Sequence, residues 1–184
     1  MPFSMSGRTV GLISLILFIL TIPAGNWVVM NVGTVCPPDS PCLIPVWPGI
    51  MSPSAVLFAG LALILRDAVQ SLLGKRWTLV AIAAGAALSG ILSEPAIILG
   101  STCAFLFSEL ADFAVYTPLR ERHLTLAIVL SGLVGSIVDS VIFLSLAFGS
   151  LDFIVGQVIG KFWMSLIAGG MIIMWRSTRR AQAA

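Results

Sequence analysis

Charge is what this chain has least of. Asp, Glu, Lys and Arg together make up 10% of its 184 residues, where a soluble domain carries about 25%. Hydrophobic residues make up 58%, and the mean hydropathy is +1.06. So much apolar surface requires lipid, not water, as its solvent, and the sequence reads as one membrane domain over residues 1–184. The net charge of +2 is too small, and too confined to loops, to attract a nucleic acid. The single histidine, His123, has no companion ligands in its loop, so neither a metal nor another cofactor is expected. Gly156 to Lys161 imitates a phosphate loop but is one residue short, and Phe162 replaces the required Ser or Thr, which removes ATP from consideration.

Six apolar stretches are long enough to cross hydrocarbon as helices. They run at about 9–29, 53–73, 77–92, 96–119, 124–148 and 151–175, so the expected fold is an all-α bundle of six transmembrane helices. The third is short and could borrow residues from Ser71 to Leu73. Tight turns at Ser93 to Pro95 and Gly149 to Leu151 make helices three and four, and five and six, antiparallel neighbours. Arg8, an apolar stretch and Pro23-Ala24-Gly25 imitate the three parts of a cleaved signal peptide. The preferred reading keeps the segment as helix one, interrupted by Pro23 and Gly25 near its outer end where it lines a cavity. Small residues four apart (Gly156 and Gly160, Ser131 and Gly135, Ala83 and Ala87) suit close helix packing.

Positive charge sorts by loop. Arg8, Lys75 and Arg76, Arg120 and Arg122, and Arg176, Arg179 and Arg180 fall on one side of a six-helix topology, and the opposite loops hold no Lys or Arg. Both termini are therefore expected in the cytoplasm, with Met30 to Gly49 external. That external loop holds Cys36 and Cys42 among five prolines. A disulfide is chemically allowed on the oxidising face, and two unpaired thiols are equally compatible. Cys103 is expected to pack within helix four.

Against this apolar background, Ser108-Glu109-Leu110-Ala111-Asp112 places two carboxylates three residues apart on one helix face. A carboxylate at membrane depth costs at least about 2.5–3.5 kcal/mol unless it meets a partner, cavity or ligand. At about 1.5 Å per residue, Asp139 and Lys161 each lie about 14 Å from the external end of their helices, Glu109 and Arg66 about 20 Å, and Asp112 about 24 Å. Two pairings follow from these depths: Asp139 with Lys161, and Asp67 or Asp112 with Arg66.

Four motifs then carry a family resemblance: Arg66-Asp67-Ala68-Val69-Gln70; Ser108 to Leu119; Gly135-Ser136-Ile137-Val138-Asp139-Ser140 with Ala147-Phe148-Gly149; and Gly156-Gln157-Val158-Ile159-Gly160-Lys161. Together they resemble the VUT family, the queuosine-precursor transporters of bacteria. The resemblance is strongest over 93–168. It implies a six-helix vitamin-uptake fold similar to the substrate-binding subunits of energy-coupling-factor transporters, located in the bacterial plasma membrane and importing 7-deazaguanines such as preQ0 or preQ1. Of the carboxylate pair it favours Asp112, because some relatives carry Gln in place of Glu109.

The residues suit such a ligand. A guanine-like base presents adjacent N–H donors that a carboxylate accepts in parallel; Glu109, Asp112 and Asp139 are candidates, with Arg66 and Lys161 balancing their charge. The carbonyl of the base needs a donor, from Lys161, Gln157, Gln70 or Asn26. Trp27, Phe113 or Tyr116 could stack on its face, and Tyr116 lies one turn from Asp112. Two other classes stay open. One is a binding subunit for a different vitamin, docked to an ATPase module that the preferred reading does not require. The other is an intramembrane aspartyl protease built on Asp112 and Asp139, which need to lie about 3 Å apart. On the transporter reading, Asp112→Asn and Asp139→Asn each abolish precursor uptake with the protein still in the membrane; wild-type uptake by both would remove these residues from the site.

Overall fold

An apolar chain can satisfy its backbone in hydrocarbon as helices or as a closed barrel, and this one uses helices. The computed structural model describes residues 7–38, 40–95, 97–164 and 166–167. The order is α1 (Gly7–Asn31), β1 (Leu43–Trp47), β2 (Ile50–Pro53), α2 (Val56–Leu73), α3 (Lys75–Leu92), α4 (Ile98–Leu119) and α5 (Leu124–Phe148), followed by α6 (154–164). The first five helices are each long and apolar enough to span a membrane. The end expected for helix six, with Arg176, Arg179 and Arg180, lies outside the described residues.

Three expectations are corrected. First, α1 runs unbroken through Pro23. Proline removes one backbone donor, the partner of the Ile19 carbonyl, a loss that membrane helices tolerate without breaking; one turn away the Thr21 hydroxyl donates to the Phe18 carbonyl at 2.6 Å. Gly25 is a packing site: a Cβ there would lie 3.1 Å from Phe58 Cβ on α2. Second, α3 starts at Lys75 and takes nothing from α2, because the chain reverses at Gly74 with φ +89°. Third, the segment after α1 is not simply a loop: within a chain that is otherwise helical, it carries a short hairpin. β1 and β2 pair antiparallel with Leu43 opposite Pro53 and Ile44 opposite Ser52, around a turn at Gly49 with φ +76°. Proline argues against a strand because it cannot donate to a ladder. A two-stranded ribbon has two free edges, however, and Pro45 and Pro53 fit there.

The hairpin is fastened to the bundle. Cys36 and Cys42 are disulfide-bonded, Cys42 N–H donates to the Val29 carbonyl at 2.6 Å, and Ser54 N–H donates to the Cys42 carbonyl at 2.9 Å. On its other side the hairpin meets α6. Trp47 stacks on Trp163 with centroids 6.1 Å apart, and Trp163 Nε1 donates to the Val46 carbonyl at 3.1 Å.

Helices α3 and α4 are neighbours, as the tight turn between them requires; α4 also packs on α5, and α1 packs on α2 and α3. The contact stripe of α3 is Ala81, Gly85 and Ser89; Ala83 and Ala87 face outward, a shift of the small-residue register by two positions. On α6 the expected register holds. A Cβ at Gly156 would overlap the Met51 carbonyl oxygen, and one at Gly160 would sit 2.8 Å from Val56. Overpacking of this kind costs about 1–3 kcal/mol. Gly156→Ala is therefore expected to lower the melting temperature of the purified protein, whereas Gly132→Ala, with nothing within 4 Å of the added methyl, leaves it unchanged or raises it. Equal melting of the two variants would contradict this packing.

Candidate functional site

Residues spaced by three or four share a helix face, and such faces of α1, α2, α4 and α5, with Gln157 of α6, line a cavity of about 80 Å³. Helix α1 contributes Ile22, Asn26 and Val29, α4 contributes Ser101, Phe105, Ser108 and Glu109, α5 contributes Asp139 and Phe143, and α6 contributes Gln157; Phe58 of α2 completes the aromatic lining. All lie in the half of the bundle nearer the hairpin.

Toward the hairpin the wall is neutral and hydrogen-bonded. Ser101 Oγ donates to Asn26 Oδ1 at 2.6 Å, Ser101 and Ser89 hydroxyls lie 3.0 Å apart, and Asn26 Nδ2 reaches Ser89 Oγ at 3.5 Å. Helices α1, α3 and α4 are thereby tied together. With its oxygen committed to Ser101, the Asn26 amide offers the cavity a donor. Gln157 is 2% exposed, and its Oε1 has no hydrogen-bond partner among the described residues.

The opposite boundary is charged. Arg66 is fully buried and forms ion pairs with Asp67 at 3.1 Å, with Glu109 at 3.2 Å and with Asp112. Its Nη1 also donates to Gln70 Oε1 at 3.0 Å, and Gln70 Nε2 donates to Thr117 Oγ1 at 2.9 Å. The Tyr116 ring faces both Arg66 and Arg120, with centroid distances of 5.4 and 5.9 Å, and its hydroxyl lies 2.7 Å from Ser71 Oγ. A second pair stands apart: Lys161 Nζ donates to Asp139 Oδ2 at 2.6 Å, to Ser140 Oγ at 2.7 Å and to the Ser136 carbonyl at 3.3 Å.

These positions sort the candidate residues. Glu109, Asp139, Gln157 and Asn26 line the cavity. Lys161 holds Asp139 in place, and Arg66, Gln70, Asp112 and Tyr116 form the charged layer behind Glu109. Glu109 and Asp112 do face the same way, but Glu109 is the one at the cavity. Asp112 is fully buried against α5, where a Cβ at Gly135 would come within 3.0 Å of its own Cβ. Tyr116 shares the Asp112 face as expected, but that face belongs to Arg66. Trp27 is 61% exposed on the outside of α1 and does not stack on anything in the cavity. The aromatic lining comes instead from Phe58, Phe105 and Phe143, and Phe113 is not part of it. Sequence reading also missed Ser89, Ser101 and Ser108; stepping back from Glu109 by helical turns would have found Phe105 and Ser101.

Asp112 and Asp139 belong to different ion pairs, each with its own cation, so they do not form the proton-sharing dyad an aspartyl protease needs. Among the described residues no three His, Cys, Asp or Glu side chains converge as a metal site. Removing one partner of a buried ion pair costs about 3–5 kcal/mol, because the other is left uncompensated. Arg66→Met is accordingly expected to abolish a cooperative melting transition, and adding Asp112→Asn to recover part of it. A normal melt for Arg66→Met alone would show that Arg66 does not hold the layer together.

Residues 55–175 match the family model described as "Putative vitamin uptake transporter". No curated protein and no solved structure matches the chain. The matched segment contains α2 to α6 and with them the Arg66 layer, Asp139, Lys161 and Gln157; α1 and the hairpin fall before it. Such a match over well over half of the residues, together with five helices able to span a bilayer, establishes a multi-pass membrane protein: the chain belongs to the VUT family of vitamin uptake transporters.

Proposed function

We propose that this protein imports 7-deazaguanine precursors of queuosine, preQ0 or preQ1, across the bacterial plasma membrane, acting as a single six-helix domain without an obligatory ATPase. The observation that carries the reading is the acceptor-rich cavity, and above all Gln157 Oε1, buried, without a partner among the described residues, and in the same lining as the carboxylates Asp139 and Glu109. A buried acceptor without a partner costs about 1–3 kcal/mol, which a ligand N–H recovers. A 7-deazaguanine is rich in such donors. Its ring N–H and exocyclic amine suit Asp139 and Gln157, its carbonyl suits the Asn26 amide, and its faces suit Phe58, Phe105 and Phe143.

Size supports the same class. At about 10–15 Å³ per water on this measure, a cavity of about 80 Å³ holds roughly six waters, room enough for a fused two-ring base. Orientation follows from charge and redox chemistry. Arg8, Lys75, Arg76, Arg120 and Arg122 lie at the end away from the hairpin, which suits the cytoplasm, and the Cys36–Cys42 disulfide suits the oxidising outer side.

The test is complementation of a strain unable to make the precursors and lacking its own transporter, with queuosine in tRNA as the readout. Loss of a hydrogen bond to a charged group is worth about 1.5–3 kcal/mol, or roughly 10- to 100-fold. Glu109→Leu and Gln157→Leu should each lower uptake by that factor, Asp139→Asn, which also strands the Lys161 ammonium, should abolish it, and Trp27→Ala should leave it unchanged. Absence of queuosine with the wild-type chain and either precursor would reject the substrate assignment, and loss of uptake on deleting a host energising module would reject stand-alone transport.

A further inference from the structure

We infer that the cavity selects a cationic ligand over its neutral counterpart, so that among the precursors it prefers preQ1, which carries an aminomethyl cation, to preQ0, which carries a nitrile; this rests on the function proposed above. The reason is a charge count. Asp139 and Lys161 cancel one to one. Arg66, by contrast, is shared by Asp67, Glu109 and Asp112. Arg120 adds at most one more positive charge to this layer, since its guanidinium lies over Tyr116 and donates to the Gln70 carbonyl. Among the described residues, and with the carboxylates ionised, two cations against three carboxylates leave one negative charge unmatched at a depth where charge is expensive.

Geometry indicates which carboxylate a ligand can reach. Asp112 is closed off by Arg66 and by α5 at Gly135. Asp67 lies on α2 and does not line the cavity, whereas Glu109 does, and its bond to Arg66 engages Oε2. Gln157 Oε1 adds an independent sign that the cavity is built around a donor: it lines the same space, is almost fully buried, and has no partner among the described residues. A protonated amine placed at Glu109 supplies the missing positive charge with a charge-assisted hydrogen bond. A nitrile offers only an acceptor to a wall that already presents acceptors. Asp139 and Gln157 remain free to take the donor edge of the base.

The experiment is calorimetric titration of the purified full-length protein in lipid nanodiscs with preQ1 and with preQ0. For the wild type, preQ1 should bind at least about tenfold more tightly, the equivalent of about 1.4 kcal/mol. Glu109→Gln keeps an acceptor but loses the charge. It should weaken preQ1 by about tenfold, change preQ0 by less than about threefold, and so close the gap. Equal or tighter binding of preQ0 by the wild type would overturn the inference and leave the precursor assignment standing, and would mean that protons supply the missing charge. A gap that persists in Glu109→Gln would overturn the role of Glu109. Binding of neither precursor would reject the proposed function and this inference together.

Discussion

The sharing of one buried guanidinium among three carboxylates is the constraint on which the rest of this bundle depends. A guanidinium carries its donors in a rigid planar fork, and at Arg66 the fork is spent on Glu109, Asp112 and Gln70, with Asp67 alongside. Because the charges are buried, α2 and α4 cannot rotate about their axes without exposing an ion to hydrocarbon. The setting of α4 then follows from helix geometry. With Glu109, Asp112 and Tyr116 turned to α2, the residues one and two turns earlier, Phe105 and Ser101, come round toward α1 and α3, where Phe105 meets Phe18 and Ser101 bonds Asn26 and Ser89. The cavity is the continuation of the ion-paired face toward the hairpin, where the side chains become neutral.

Glycine decides how closely the other helices approach this face. Without a hydrophobic effect to drive helices together in lipid, contact depends on close backbone packing and on polar bonds. Gly135 lets α5 pass against Asp112, and Gly25 lets α1 pass against Phe58. On α6, Gly156 and Gly160 fit under Met51 and Val56, which carries Gln157 and Lys161 inward. The reach of the Lys161 ammonium to Asp139, Ser140 and the Ser136 carbonyl then joins α6 to α5. The hairpin belongs to the same arrangement, since its β2 strand is the surface against which Gly156 packs.

What could be read from the sequence divides along physical lines. Charged residues are legible in a membrane chain because their cost forces them into pairs. Depth alone put Asp139 with Lys161 and Arg66 with Asp67 or Asp112, and it placed Glu109 level with Arg66. Helix five is legible to its ends, Leu124 and Phe148, because polar turns bound it on both sides. Apolar residues are not legible in the same way. A helix surrounded by lipid on one side and protein on the other is apolar on both, so nothing in the sequence distinguishes Trp27, which faces outward, from Phe105, which faces the cavity. Glu109 and Asp112 could not be told apart in the sequence for a related reason: one turn of helix separates a carboxylate locked behind Arg66 from one at the cavity wall, and the packing of α5 at Gly135 distinguishes them. The hairpin was hidden by its prolines, which a free ribbon edge tolerates.

Glu109 is the one carboxylate that belongs to both halves of this structure. Its bond to Arg66 makes it part of the charged layer, and its place in the lining makes it part of the cavity. A ligand that engages Glu109 competes with Arg66 for it, while Asp67, Asp112 and Gln70 remain to hold the guanidinium. The competition therefore weakens one link of the layer without stranding a buried cation. No other residue of the layer allows this: Asp112 has no access to the cavity, and loss of Arg66 would leave three carboxylates unbalanced. The excess of carboxylates over cations, which looks wasteful as structure, is what permits one of them to be lent to a ligand.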